Sequence, residues 1–152
     1  MEIKKIAVMG AGAMGHGIAQ VAAMAGFDVT MRDINEEFVK GGMGKIRWSI
    51  GKLIEKGRIS PAEADKTLKR ITPLVSLGDA AKEADFVIEA IPEELTLKQQ
   101  IFKEIDSSAP RHAILATNTS ALSITEIAAA TSRPEKVIGM HFFNPAQLMR
   151  LV

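Results

Sequence analysis

Residues 6–26, IAVMGAGAMGHGIAQVAAMAG, decide the fold of this chain. The apolar run 6–9 has the length and composition of a strand that is buried on both faces, as in a parallel sheet. The glycine-rich segment 10–15, GAGAMG, follows at once, and a helical pattern leads from it to Gly26. The sequence therefore predicts a strand, a glycine loop and a helix, the context in which G-x-G-x-x-G binds a dinucleotide.

Each glycine of this motif has its own expected role. Gly10 permits the tight turn out of the strand, Gly12 lets the backbone approach a pyrophosphate, and Gly15 allows close packing of helix on strand. The unpaired N–H groups at the start of the helix, around Ala13 and Met14, would face the two phosphates. A glycine-rich turn before a helix can also be plain packing, so a second signal is needed.

Asp33 is that second signal. Gly26 ends the helix, residues 27–31 form the predicted second strand, and Asp33 follows 23 residues after Gly10 (33 − 10). A carboxylate about 20 residues after the first glycine holds the adenosine ribose in dinucleotide-binding proteins, whereas a surface Asp in a turn is the alternative. Such a carboxylate favours NAD over NADP by repelling a 2′-phosphate, although the neighbouring Arg32 could attract that phosphate or be an ordinary solvated charge.

Length and composition predict one globular domain over residues 1–152 with a sizeable core. Hydrophobic residues make up 47% and charged residues 24%, and a net charge of +1 provides no bulk field for nucleic acid or an anionic membrane. The absence of cysteine excludes disulfides and thiolate metal ligands, and the three dispersed histidines show no metal-ligand spacing. No metal site is expected.

The N-terminal residues MEIKK lead into a strand without the apolar core of a signal peptide, and no apolar run approaches the roughly 20 residues that span a bilayer. A cytoplasmic location is therefore the default expectation. A targeting segment for an organelle, removed from the mature chain, is also compatible with this sequence.

The remaining chain alternates helices with strands. A long helical stretch is predicted from about Asn35 to Lys56 with Gly57 as its cap, and a second helix begins at the capping box 60–63, SPAE. Further strands are predicted at 71–75, 84–91, 113–117 and 137–140, and further helices at 79–82, 95–105 and 124–130. This order predicts an α/β fold, a Rossmann-type doubly wound, mainly parallel sheet with a helical-hairpin excursion after strand two.

The excursion is longer than a plain crossover requires. Trp48 is predicted to be a packing residue rather than a stacking platform. The basic residues of the excursion form either a solvated face or a surface for an anionic substrate. They are Lys45, Arg47, Lys52, Lys56 and Arg58.

Polar residues follow the last three strands, where a doubly wound sheet binds its ligands. They are Glu93 and Lys98 after strand four, Asn118, Thr119 and Ser120 after strand five, and His141 and Asn144 after strand six. We expect Thr119 and Ser123 to be turn or cap residues. His141 is placed to remove a proton from an alcohol during hydride transfer, and a structural histidine is the alternative. His16 and His112 lack this placement.

The sequence closely resembles the NAD-binding domain of the 3-hydroxyacyl-CoA dehydrogenases, including the 3-hydroxybutyryl-CoA dehydrogenases, over essentially its whole length. Four segments carry this resemblance, and together they are far more specific than the glycine motif. They are GAGAMGHGIAQVAAMAG at 10–26, DFVIEAIPEELTLKQQIFKEID at 85–106, ATNTSALSITEIA at 116–128 and HFFNPAQLMRLV at 141–152.

The resemblance implies NAD-dependent oxidation of 3-hydroxyacyl-CoA to 3-ketoacyl-CoA, a step of β-oxidation, and the reverse reaction. It implies that His141 is the general base and that Ser120 binds the substrate oxygen. Asn144 belongs to the HFFNP motif beside the active site. Implied cofactor contacts are Asn118, Glu93 and Lys98 for the nicotinamide half and Asp33 for the adenosine ribose, and Ser49 and Lys56 match positions that contact coenzyme A.

In the resembling family a glutamate that orients the histidine follows HFFNPAQLMRLV, and a C-terminal helical domain completes the acyl pocket and the dimer. This chain ends at Val152. The expectation is therefore an NAD-binding domain that turns over weakly or not at all alone and self-associates through an uncovered apolar surface. The alternatives are a non-catalytic dinucleotide-binding or regulatory module, or a dehydrogenase of small 3-hydroxy acids. The sequence does not determine the acyl chain length of the substrate. Nor does it determine whether the parent protein is a stand-alone dehydrogenase or a fused multifunctional β-oxidation protein.

Overall fold

A computed structural model describes residues 2–152 as six strands and six α-helices. The strands are β1 Lys5–Met9, β2 Asp28–Arg32, β3 Ile71–Leu74, β4 Phe86–Glu89, β5 Ile114–Thr117 and β6 Val137–Gly139. The helices are α1 Gly15–Met24, α2 Glu36–Glu55, α3 Pro61–Lys69, α4 Leu77–Ala81, α5 Leu95–Ser108 and α6 Ile124–Ala128, with a 3₁₀ turn at Pro134–Lys136.

The strands form one sheet in the order β3-β2-β1-β4-β5-β6, and all of its neighbouring pairs are parallel. The strand order reverses between β1 and β4. In a doubly wound sheet this reversal leaves a crevice beyond the carboxyl ends of those two strands, because their following helices cover opposite faces. The predicted Rossmann-type fold is confirmed, with a sheet that is wholly parallel.

Two apolar layers enclose the sheet. Ile6 and Val8 of β1 face a core that includes residues of α1, α2 and α3. Ala7 and Met9 face the opposite core, to which α4, α5 and α6 contribute. Because successive side chains of a strand point to opposite faces, burial on both sides accounts for the uninterrupted apolar run of β1.

The helical hairpin after β2 is confirmed in detail. The Asn35 side chain accepts a hydrogen bond from the Phe38 N–H at 2.9 Å, and α2 then continues without a break to Glu55. Gly57 has a φ of 64°, the left-handed conformation that commonly follows a helix end. The Ser60 and Glu63 side chains each accept from the other residue's backbone N–H, so α3 begins with the predicted capping box.

Three expectations need correction. Trp48, predicted as a packing residue, is 68% exposed, because the buried positions of α2 around it, Ile46, Ser49 and Ile50, lie on the other side of the helix. The predicted fourth strand, 84–91, extends two residues beyond β4 at each end, and at its far end this is because the apolar composition continues into the loop that follows. The helix predicted at 79–82 is α4 at Leu77–Ala81, which begins two residues earlier after the Ser76 cap. None of the helices within residues 2–152 is long and apolar enough to cross a membrane.

Candidate active site

The glycine loop between β1 and α1 has little room for side chains at two of its three glycines. Gly10 has a φ of 113°, and a Cβ there would overlap the Ala90 carbonyl. A Cβ on Gly15 would overlap the Gly10 carbonyl, so the close approach of α1 to the loop requires glycine. Gly12 has no protein atom within 4 Å of its Cβ position and borders open space.

That open space is a cleft of about 900 Å³ at the reversal of the strand order. It brings together the ends of β1, β2, β4 and β5, which are far apart in the sequence. Among the residues around it are Gly10, Gly12, Ala13, Met14, Asp33, Glu93, Lys98, Asn118 and Ser120. The volume lies in the range of small-molecule and cofactor sites.

Asp33 is held at one end of the cleft by the backbone. Its carboxylate accepts hydrogen bonds from the Ala11 N–H at 2.8 Å and the Ile34 N–H at 2.7 Å. An ionised carboxylate has further acceptor positions, so Asp33 can still receive ribose hydroxyls. Arg32 also borders the cleft, and its Nε donates to the Val75 carbonyl at 2.9 Å.

Glu93 lies at the other end and organises the loop after β5. Its carboxylate accepts from the Thr119 hydroxyl, from the Ser120 N–H at 3.0 Å and from the Ala121 N–H at 3.3 Å. Partial burial raises the pKa of Glu93, but the Thr119 hydrogen bond, the Lys98 charge and the two N–H groups outweigh it and hold the pKa below its usual value. Glu93 is thus kept ionised beside the cleft.

A buried ion pair lies beneath this end of the cleft. The Glu89 carboxylate and the Lys98 ammonium are 2.5 Å apart, and both side chains are almost completely buried. The Thr117 hydroxyl and the Ile91 N–H also donate to Glu89, at 2.7 and 2.8 Å. The sequence reasoning missed Glu89, although a carboxylate inside the apolar segment 86–91, FVIEAI, is a signal that could have found it.

His141 and Ser120 meet beside the Glu93 end. The Ser120 hydroxyl and His141 Nε2 are 2.9 Å apart, and the imidazole packs edge-on against the Phe143 ring at 5.3 Å. The Asn118 side chain accepts from the Phe142 N–H at 2.8 Å and so ties the end of β5 to the segment after β6. A substrate hydroxyl placed here would reach a base and a hydroxyl partner at the same time.

The three remaining predicted residues lie outside this cleft. Asn144 is exposed in the segment after His141, Ser49 is buried on α2, and Lys56 is exposed at the end of α2. Their roles stay predictions. A second hollow of about 420 Å³ lies between α2 and the segment that contains Gln147.

The other two histidines are accounted for by local contacts. His16 Nδ1 lies 2.5 Å from the Gly12 carbonyl at the start of α1, and His112 pairs with Asp85 at 2.9 Å. Ser123 accepts from the Glu126 N–H and caps α6, as predicted. Within residues 2–152 no group of three His, Asp or Glu side chains is arranged to hold a metal ion.

Comparisons with known proteins show what this chain is similar to. A probable 3-hydroxybutyryl-CoA dehydrogenase of Bacillus subtilis is 49% identical over the whole chain, which spans 53% of that protein. A fatty acid oxidation complex subunit alpha of Psychrobacter cryohalolentis is 46% identical over 99% of the chain, which spans 21% of that protein. The chain thus covers about half, or less, of the curated relatives it matches.

Among solved structures, an (S)-3-hydroxybutyryl-CoA dehydrogenase from Ralstonia eutropha matches with a TM-score of 0.94 and 42% identity. The match covers 97% of this chain and 52% of that one. The family model described as 3-hydroxyacyl-CoA dehydrogenase, NAD binding domain, matches residues 5–152. The chain therefore belongs to the family of NAD-binding domains of the 3-hydroxyacyl-CoA dehydrogenases, and NAD is the cofactor of this domain.

Proposed function

We propose that this chain supplies the NAD site and the general base for interconverting 3-hydroxyacyl-CoA and 3-ketoacyl-CoA. The observation that carries the proposal is the 2.9 Å contact between the Ser120 hydroxyl and His141 Nε2 beside the dinucleotide cleft. The relatives named as 3-hydroxybutyryl-CoA dehydrogenases support the substrate class. Gly10, Gly12, Ala13, Met14, Gly15 and Asp33 would hold the adenosine and pyrophosphate part of NAD, and Glu93, Lys98 and Asn118 its nicotinamide half.

His141 acts as the base in the oxidative direction. Its Nε2 takes the proton of the substrate 3-hydroxyl, and in the reverse direction it returns that proton to the 3-keto oxygen. The Ser120 hydroxyl binds the same oxygen and orients it toward the imidazole. Bound NAD supplies the acceptor for the hydride that leaves C3 of the substrate.

Coenzyme A recognition would fall to α2. Ser49 and Lys56 are the proposed contacts, and exposed basic residues on the same helix, Lys45 and Arg47, provide positive charge for its phosphates. Asn144 is proposed as a further active-site residue because it follows His141 by three positions.

We further propose that residues 1–152 work with a C-terminal helical domain that completes the acyl pocket. Two observations support this: the relatives are about twice as long or longer, and the last residues of the chain expose apolar side chains. These side chains are Leu148, Met149, Leu151 and Val152. The name of the fatty acid oxidation relative supports a place for this reaction in fatty acid metabolism. The proposed location is the cytoplasm.

Single-turnover assays with acetoacetyl-CoA and chain-bound NADH test the proposed chemistry. We expect slow NADH oxidation by the parent chain and roughly a hundredfold slower oxidation by His141→Gln, because the proton donor is lost. His112→Gln is the matched control, since His112 contacts only Asp85 outside the cleft, and it should match the parent. Equal rates for His141→Gln and the parent would contradict the role of His141. If both rates equal that of the reaction without protein, they would favour a non-catalytic binding module. Rates typical of a complete dehydrogenase would contradict the need for a second domain.

A further inference from the structure

Three charged side chains form a row from the core to the cleft. Glu89 is fully buried at the end of β4, Lys98 is fully buried in the first turn of α5, and the Glu93 side chain is 43% exposed. The Lys98 ammonium lies 2.5 Å from Glu89 and 3.5 Å from Glu93. We call these residues the charge row.

Lys98 has its acceptors within the protein. Its ammonium donates to the Glu89 carboxylate and to the Ile91 carbonyl, at 2.5 and 3.3 Å, and lies within ion-pair distance of Glu93 at 3.5 Å. Glu89 is fully buried and accepts hydrogen bonds from Lys98, Thr117 and the Ile91 N–H. A cofactor in the cleft therefore meets Glu93, the exposed member, and Lys98 borders the same cleft. Glu89 is not among the cleft residues and acts on the cofactor through these two.

The balance of charge along the row is one ammonium against two carboxylates, a net charge of −1. Because Glu89 already neutralises Lys98, the uncompensated negative charge lies on Glu93, facing the cleft. Without the Glu89 carboxylate, Lys98 would neutralise Glu93 and the row would present no net charge.

The reacting ring of the cofactor belongs at this end. Glu93 accepts from the Ser120 N–H, and the Ser120 hydroxyl contacts His141, so the hydride acceptor must lie near Glu93 if these residues perform the proposed reaction. The nicotinamide ring carries a positive charge in NAD⁺ and none in NADH. A nearby net negative charge therefore stabilises the oxidised ring selectively.

We propose that Glu89 is a positioning residue that cancels the Lys98 charge, so that the charge row favours NAD⁺ over NADH. The inference rests on the proposed function only for the placement of the nicotinamide ring. It extends that function by naming a buried residue that sets the redox preference of the bound cofactor, and hence the direction in which the domain biases hydride transfer.

The ratio of the dissociation constants for NAD⁺ and NADH tests this proposal. NADH fluorescence titration gives one constant, and displacement of NADH by NAD⁺ gives the other. In Glu89→Gln the ratio Kd(NAD⁺)/Kd(NADH) should rise roughly three- to tenfold, the size expected for one unit charge a few ångströms away in a partly solvated site. Glu93→Gln removes the same charge at an exposed position and should change the ratio in the same direction.

The double variant Glu89→Gln/Lys98→Met is the matched control. It removes both charges of the buried pair and leaves Glu93 as the net charge. Both nucleotides lose the Lys98 contact and should bind more weakly, but the ratio should return to within twofold of the parent. A purely structural role of Glu89 does not predict this return, because the double variant disturbs the core more than the single one. The double variant also leaves no unpaired buried charge.

Several outcomes would overturn the proposal. One is an unchanged ratio in Glu93→Gln, and another is an equal loss of affinity for both nucleotides in Glu89→Gln, which leaves the ratio unchanged. If Glu89→Gln does not fold, the proposal is overturned by a double variant whose ratio stays above that of the parent. The proposed reaction is judged separately by the His141→Gln assay, so a shifted ratio without turnover would count against the reaction and leave the redox preference standing.

Discussion

Gly12 and Gly15 belong to one motif but are constrained by different neighbours. Gly15 is constrained by the protein itself, since any Cβ would meet the Gly10 carbonyl. Gly12 has open space at its Cβ position, and that space is part of the cleft. Folding therefore requires the one glycine, and close approach of a pyrophosphate requires the other.

Alanine substitutions at these two positions should separate folding from binding. Gly12→Ala should keep the Tm within about 2 °C of the parent and weaken NADH binding at least about tenfold, because its methyl group occupies the ligand's space. Gly15→Ala should lower the Tm by more than about 5 °C, since α1 must move away from the loop. Differential scanning fluorimetry and NADH titration measure both quantities, and a strongly destabilised Gly12→Ala would contradict this division.

At the scale of elements, Asp85 joins three parts of the sheet at its amino end. Its carboxylate accepts from the Lys4 and Lys5 N–H groups at the start of β1, at 2.9 and 3.0 Å, and pairs with His112 before β5. The two backbone hydrogen bonds, followed by the one from His112, lower the pKa of Asp85 from 3.8 to about 2. A carboxyl with a lowered pKa stabilises the fold in its ionised form.

The stability contributed by Asp85 should depend on pH in a defined direction. It is fully present above a pH of about 4, where the unfolded carboxyl is also ionised, and is lost as the pH falls through the folded pKa of about 2. Asp85→Asn should therefore be less stable than the parent at pH 6, and the difference should shrink between pH 4 and pH 2. Urea unfolding at each pH measures this difference in stability. The control is Asp65→Asn, since Asp65 forms an exposed ion pair with Lys69 on the same helix. A difference that stays constant down to pH 2 would contradict the assignment.

At the scale of the whole molecule, several large apolar side chains are exposed, and four of the last five residues are among them. Trp48, Phe143, Leu148 and Leu151 are all substantially exposed, with Trp48 and Leu148 at 68% each. Exposed apolar side chains in this number are typical of a surface that another domain or protein covers.

This surface should make the chain self-associate. Sedimentation velocity should show an average sedimentation coefficient that rises with protein concentration, whereas Leu148→Glu/Leu151→Glu should remain monomeric and bind NADH like the parent. Met24→Glu, which changes an exposed apolar residue at the end of α1, is the matched control and should associate like the parent. A parent chain that stays monomeric at high concentration would contradict this expectation.

Local patterns in the sequence were enough to predict the strands, the helices and the residues at the strand ends. The capping box at Ser60 and Glu63 involves residues three positions apart, and the apolar run of β1 needs only burial on both faces. These features depend on local backbone preference and side-chain period, which neighbouring residues determine. The exact residue at which a strand stops was less well predicted, because loop residues beside the cleft, such as Ala90 and Ile91, are apolar too.

The sequence by itself determined the α/β class, the glycine loop and Asp33, and the family resemblance supplied the roles of Ser120 and His141. Only the tertiary structure decided the strand order, the exposure of Trp48, and the contact between the Ser120 hydroxyl and His141 Nε2, which are 21 positions apart in the sequence. It alone revealed the Glu89–Lys98 pair. The physical reason is that periodicity reports which side of an element is buried, whereas hydrogen bonds and charge pairs between elements depend on how the strands are ordered and how the helices pack on them.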